Sequence, residues 1–221
     1  MMSEEMVSPS TASEEDENSK MISQEKALLK LDWPEVLSQR FDSIAGLCVR
    51  KNLNAYGCEM IEAYYANDGT RLNTSGLNQI DSLTCEKLFQ GYQSSYGNFY
   101  ESYFYSIDKP INGFYPLSMI QYFGVVDRPL MMVLFDSTGR VVNAIEVANS
   151  YGETGGCLST ERVNDSTLLQ HAAWSEMGID QETGEDIFET TYAKTQLVIS
   201  SSGKVIKTEL ERGIQESSED K

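Results

Sequence analysis

The stretch Leu130-Met131-Met132-Val133-Leu134-Phe135-Asp136-Ser137-Thr138-Gly139-Arg140-Val141-Val142 decides the fold. Its apolar run falls far short of the roughly 18 residues needed to cross a bilayer, so it is of strand size. The polar quartet that follows carries turn chemistry, with Gly139 where such turns need positive φ and Arg140 opening the return strand. The reading is a hairpin.

The same pattern extends on both sides. Further strand runs are expected at 117–125, 141–147, 157–163, 167–174, 187–199 and 204–211. Upstream, Phe99, Glu101, Tyr103, Tyr105 and Ile107 alternate as a strand with one aromatic face. Turn residues fill the gaps: Asp127-Arg128-Pro129, Asn164-Asp165-Ser166, Gln181-Glu182-Thr183-Gly184 and Ser200-Ser201-Ser202-Gly203. Such short connections make successive strands antiparallel neighbours, which predicts a β-meander of seven or eight strands. Residues 135–142 and 199–206 match in type at an offset of 64. A closed propeller, at about four strands per blade, does not fit this length, so the echo reads as one good turn used twice.

The N-terminal part reads differently. Asp32 before Trp33-Pro34-Glu35 has the character of an N-cap, placing a helix at 33–45 that ends at Gly46. Cys85, Leu88, Phe89 and Tyr92 fall at helical spacing within a second helix, 82–93. Residues 58–65 fit helix or strand, and Asn67-Asp68-Gly69 marks a turn. The expected fold class is therefore α+β, mainly β, with N-terminal helices followed by the antiparallel meander. Residues 1–22 read as a disordered acidic tether, 23–212 as one globular domain (23–95 helical, 96–212 meander), and 213–221 as a disordered tail.

Lysine plus arginine number 17 against 34 acids, giving a net charge of −17. That charge repels phosphate backbones and argues against a nucleic-acid partner. No run is long enough for a transmembrane segment, and no basic-then-apolar leader is written at the start. The chain is either cytoplasmic or belongs to the cell envelope with its export signal removed.

Cys48, Cys58, Cys85 and Cys157 lie 10, 27 and 72 residues apart, without the close pairs of a structural zinc site. In an oxidising compartment they allow three connectivities, with Cys48–Cys58 the most natural link; in the cytoplasm they are buried thiols.

The other chemical candidates each weaken on inspection. His171, the single histidine, shares a strand face with Leu169 and Ala173 and has no nucleophile signature to serve, so it reads as a partly exposed sheet residue. Asp180, Glu182, Glu185 and Asp186 gather acids around Gly184, but the sixth position of an EF-hand loop would be Glu185 where glycine is needed. Gly152, Gly155 and Gly156 lack the lysine of a phosphate loop. No pair among the acids is singled out for glycoside hydrolysis. No catalytic residue, cofactor or metal is expected from these patterns.

Tyrosine is the distinctive residue, 12 in all. Tyr96, Tyr100, Tyr103, Tyr105, Tyr115 and Tyr122 form the candidate contact surface, because each ring gives a large amphipathic contact at low entropy cost. A protein or glycan partner is the expectation.

Residues 117–211 resemble the C-terminal part of small uncharacterised exported lipoproteins of Bacteroides-type gut bacteria. The resemblance rests on Leu134 to Val141, the Gly155-Gly156 loop, Gly178 to Glu185 and Val198 to Val205. In such proteins an acidic, serine-rich tether follows the lipidated cysteine, and residues 3–20 are similar to it; the chain has no lipobox cysteine of its own. The resemblance implies a lipid anchor outside the given sequence and carries no site residues. The sequence thus suggests a non-enzymatic binding module of the bacterial envelope. The alternatives are an acidic immunity or inhibitor protein that neutralises a basic partner, and an acid-pair hydrolase.

Overall fold

A computed structural model describes residues 44–64, 72–89, 92, 99, 102–121, 129–151, 156–179 and 186–218. The chain divides into two compact units, Met1–Trp33 and Pro34–Lys221, and every described residue belongs to the second. The expected tether and nearly all of the expected helix at 33–45 lie outside the described residues.

The protein is mainly β. An eleven-stranded sheet contains β1 (Arg50–Lys51), β2 (Ala55–Tyr56), β3 (Asn78–Gln79), β4 (Tyr103–Ile107), β5 (Tyr115–Ile120), β6 (Pro129–Phe135), β7 (Val141–Tyr151), β8 (Gly156–Arg162), β9 (Thr167–Ile179), β10 (Asp186–Ile199) and β11 (Val205–Ser218). β4 through β11 are sequential antiparallel neighbours, the eight-stranded meander that the turn chemistry predicts. The three extra strands come from the part expected to be helical: β1 pairs parallel with β4, β3 antiparallel with β4, and β2 antiparallel with β8. At two residues each they are too short for periodicity to register.

Two short helices accompany them, α1 (Cys58–Glu62) and α2 (Ser82–Phe89). Asp81 starts α2: its carboxylate accepts from the Thr84 amide at 2.9 Å and the Thr84 hydroxyl at 2.8 Å. Cys85, Leu88 and Phe89 are its buried face, as their spacing predicts. Phe89 packs on Phe99 and Phe135, so α2 covers one side of β6. Leu130, Met132 and Leu134 on the other side join a core with Ile61 of α1, Tyr105, Ile120, Ile145, Leu168, Leu197 and Ile199. β6 is therefore buried along its whole length.

The two echoing hairpins adopt the same turn. Gly139 and Gly203 have φ of 80° and 79°, and each turn closes with matching amide-to-carbonyl bonds of 2.9 Å. Asp136 and Ser200 occupy equivalent first positions and accept from backbone amides there. The hairpins also meet: the Asn143 amide donates to the Gly203 carbonyl at 3.1 Å, and a Cβ on Gly203 would lie 2.8 Å from Val142 Cγ2. The return of β11 thus packs against the start of β7, which a sequence echo alone does not reveal.

A buried polar knot fastens the N-terminal segment to the sheet. Asp108 accepts from the Leu53 amide at 2.6 Å and from the Tyr56 and Ser106 hydroxyls, each at 2.8 Å. Burial pushes the Asp108 carboxyl up from its ordinary value, although these hydrogen bonds and nearby Arg162 pull the other way. Arg162 bonds the carbonyls of Lys109 at 3.0 Å and Pro110 at 2.6 Å, tying the β4–β5 connection to β8.

Cys58 is bonded to Cys157, 99 residues away, rather than to Cys48. The short-loop expectation fails because α1 packs on β7 and β8, which brings Cys58 beside the start of β8. Cys48 and Cys85 are free thiols. Burial pushes Cys48 up to about 12 and raises Cys85 too, so both stay protonated and weakly nucleophilic.

Candidate interaction surface

The last three strands have 13, 14 and 14 residues, about twice the usual strand length. At about 3.3 Å per residue each is on the order of 45 Å long. β8 last pairs with β9 at Ala173, and β9 then continues through Trp174 to Ile179 with β10 and β11 alongside. The result is a three-stranded ribbon running on past the packed part of the sheet.

Strand β11 corrects an expectation. Gly213 onward was to be a disordered tail, yet the strand continues to Ser218 because β10 supplies a complete ladder opposite it. The ladder has one bulge: Thr195 faces Glu209 and Lys194 faces Glu211, so Leu210 has no residue opposite.

Apolar exposure concentrates here. Nine large hydrophobic residues are exposed among the described ones, and six of them, Met177, Ile179, Tyr192, Ile206, Leu210 and Ile214, belong to β9–β11. Met177 at 70%, Ile179 at 67% and Ile214 at 64% are the most open. Met177, Ile179 and Ile214, on the part of the ribbon past Ala173, thus present apolar side chains to water instead of burying them.

Cross-strand register makes a shallow open groove of about 420 Å³ on one face. One row across it is Cys157, Ala173, Tyr192 and Gly213; the next is Ser159, His171, Lys194 and Glu211. Tyr192 lies over Gly213, where any Cβ would collide with its hydroxyl. His171 Nε2 sits 3.9 Å from Glu161 Oε1, with both side chains about half exposed, so the pair is weak. The Ser159 hydroxyl donates to the His171 backbone carbonyl at 3.5 Å. The groove therefore offers hydroxyl, imidazole, ammonium and carboxylate groups for recognition. On the opposite face Arg212 bonds Glu209 at 2.7 Å and sits 6.0 Å from the Trp174 ring.

Three of the six candidate tyrosines lie among the described residues. Tyr105 is 2% exposed and serves as a packing residue, because β4 is covered on both faces and has no open aromatic side. Tyr103 and Tyr115 are half-buried, while Tyr96, Tyr100 and Tyr122 lie outside the described residues. Asp180, Glu182, Glu185, Gly152 and Gly155 also lie outside them. Among the described residues no cluster of His, Cys, Asp and Glu could hold a metal ion, and no helix is long and apolar enough to cross a membrane.

Sequence reasoning missed Met177, Ile179, Ile206, Leu210 and Ile214 as surface residues. The available signal was strand length: apolar residues continue past the point where the earlier strands stop. No protein-family model matches the chain, and neither a curated protein nor a solved structure matches it.

Proposed function

We propose that this chain is a non-enzymatic binding module of the bacterial cell envelope, held on an acidic N-terminal tether, with the β9–β11 ribbon as its contact surface. The observation that carries this reading is the concentration of exposed apolar residues on three overlong strands. An isolated apolar side chain on a surface is ordinary, but Met177 and Ile179 on one face and Ile214 on the other leave the projecting part of the ribbon apolar on both sides, which suits partner contact. The Cys58–Cys157 bond supports the compartment, since structural disulfides persist where thiols are oxidised.

The test is made in the native cell. A photo-crosslinking residue at Met177 or Ile214 is expected to yield a discrete adduct, and one at exposed Leu83 of α2 none. Intact mass of the membrane fraction is expected to rise by about two daltons on reduction, one disulfide opened. Adducts from neither ribbon position, or a cytosolic chain with four free thiols, would overturn the reading.

A second reading, an acidic inhibitor that neutralises a basic protein, is favoured by the net charge of −17. It differs by predicting one tight partner whose association rate falls steeply with salt.

A further inference from the structure

The outer edge of β11 ends the sheet order, and no strand among the described residues pairs with it. Alternate residues of such an edge turn backbone N–H and C=O groups outward, where they template another strand. Proteins usually blunt exposed edges by keeping them short, by bulges, or by placing proline, lysine or inward charges there, and of these β11 has one bulge and one lysine, Lys207. β11 has 14 residues, no proline and a single bulge at Leu210.

Charge narrows the occupant. Register lines up Glu176 of β9, Glu189 of β10 and Glu216 of β11 in one row that ends at this edge. Within β11 the charged residues are Lys207, Glu209, Glu211, Arg212 and Glu216, and Arg212 is already bonded to Glu209. A second copy of the chain carries the same net charge of −17 and the same acidic row, so self-pairing is opposed. A cationic strand is favoured. The register also sets which side chains flank it. Ile206 lies on the groove face and Ile214 on the opposite face, because the bulge at Leu210 shifts the alternation. A strand added beside β11 would therefore find an apolar neighbour on each face.

We infer that the β11 edge takes an extended, basic, alternately apolar segment of a partner polypeptide by strand addition, with the row Glu176, Glu189 and Glu216 selecting its charge. This rests on the binding-module reading and specifies its partner and mode.

The full chain with its disulfide intact is titrated with a short peptide alternating lysine and valine, with the same peptide methylated at alternate backbone amides, and with a glutamate–valine peptide. The lysine peptide is expected to bind, to slow amide hydrogen exchange within β11, and to bind tenfold or more tightly than the methylated one. The glutamate peptide is expected to show no binding. Glu176→Lys with Glu189→Lys, both on the ribbon surface, is expected to weaken the lysine peptide several-fold at low salt while leaving the melting temperature unchanged.

Equal binding of the methylated peptide would reduce the effect to charge attraction and overturn strand addition. Absence of binding at millimolar peptide, or a dimer by sedimentation with β11 protected, would overturn the proposal as well. Crosslinked adducts from the ribbon in cells, combined with unprotected β11 amides, would sink strand addition while leaving the binding-module reading standing.

Discussion

β6 and β11 belong to one sheet but are specified by different physics. Leu130 to Phe135 of β6 are each 0% exposed, uncharged and apolar, so exclusion of water from both faces fixes that strand. β11 runs Lys207, Thr208, Glu209, Leu210, Glu211, Arg212, with every one of those side chains exposed, and its order comes from the ladder with β10 and the turn at Gly203. Stability is concentrated at the first strand, and surface available to a partner at the second. Substitutions ought to separate the two regions cleanly.

The largest effect is expected inside. Phe135→Ala removes a ring packed against Phe89 and should lower the unfolding free energy by about 3–5 kcal/mol in urea melts. Replacing Cys58 and Cys157 together by serine should cost about 2–5 kcal/mol, because the bond closes a long loop. A loss confined to α1 in hydrogen exchange, with no change in the global melt, would show the bond to be local. Gly203→Ala, at φ of 79° and against Val142, should cost about 1–3 kcal/mol, which tests whether the ribbon is anchored to the packed region through this turn.

Asp108 gives a pH signature. Its carboxyl is raised in the folded state above the ordinary 3.8, so between that value and the folded one the folded chain holds the extra proton. Its contribution is fully present below 3.8 and declines as pH rises through the folded value. Asp108→Asn should remove this slope from the stability–pH curve; an unchanged curve would place the effect elsewhere. The smallest effect belongs to Ile214→Ser, expected to change stability by less than about 0.5 kcal/mol while partner crosslinking falls. A destabilisation as large as that of Phe135→Ala would erase the distinction between the two regions.

Much of the meander was legible. The apolar run 130–135 and its turn fixed one hairpin, and the strands expected at 187–199 and 204–211 begin within a residue of β10 and β11. Strand ends were harder to read. Met177 and Ile179 continue β9 through Gly178, a residue that reads as a stop when its partner Ile187 is not in view. Residues 213–218 resemble a tail in composition, since a strand with little buried apolar surface shows no alternation of burial. The Cys58–Cys157 pairing and the Asp108 knot are long-range contacts, on which local spacing carries no information. Tyrosine suits a covered strand as well as a contact surface, and Tyr105 takes the covered role.

The Cys58–Cys157 bond turns the middle of the chain into a covalent ring containing α1, β3, α2 and β4 to β7, while β8 beyond Cys157, β9, β10 and β11 hang from it as a linear lead. Under tension applied to the C-terminal end across the strands, β11, β10 and β9 peel off one ladder at a time. Extension then stops at Cys157, because the ring cannot lengthen without breaking a covalent bond. The ring keeps β4 to β7 from being drawn out, but the loss of β9 and β10 strips Leu168, Leu197 and Ile199 from the core they share, so the bond limits how far the chain extends and not how much packing it loses.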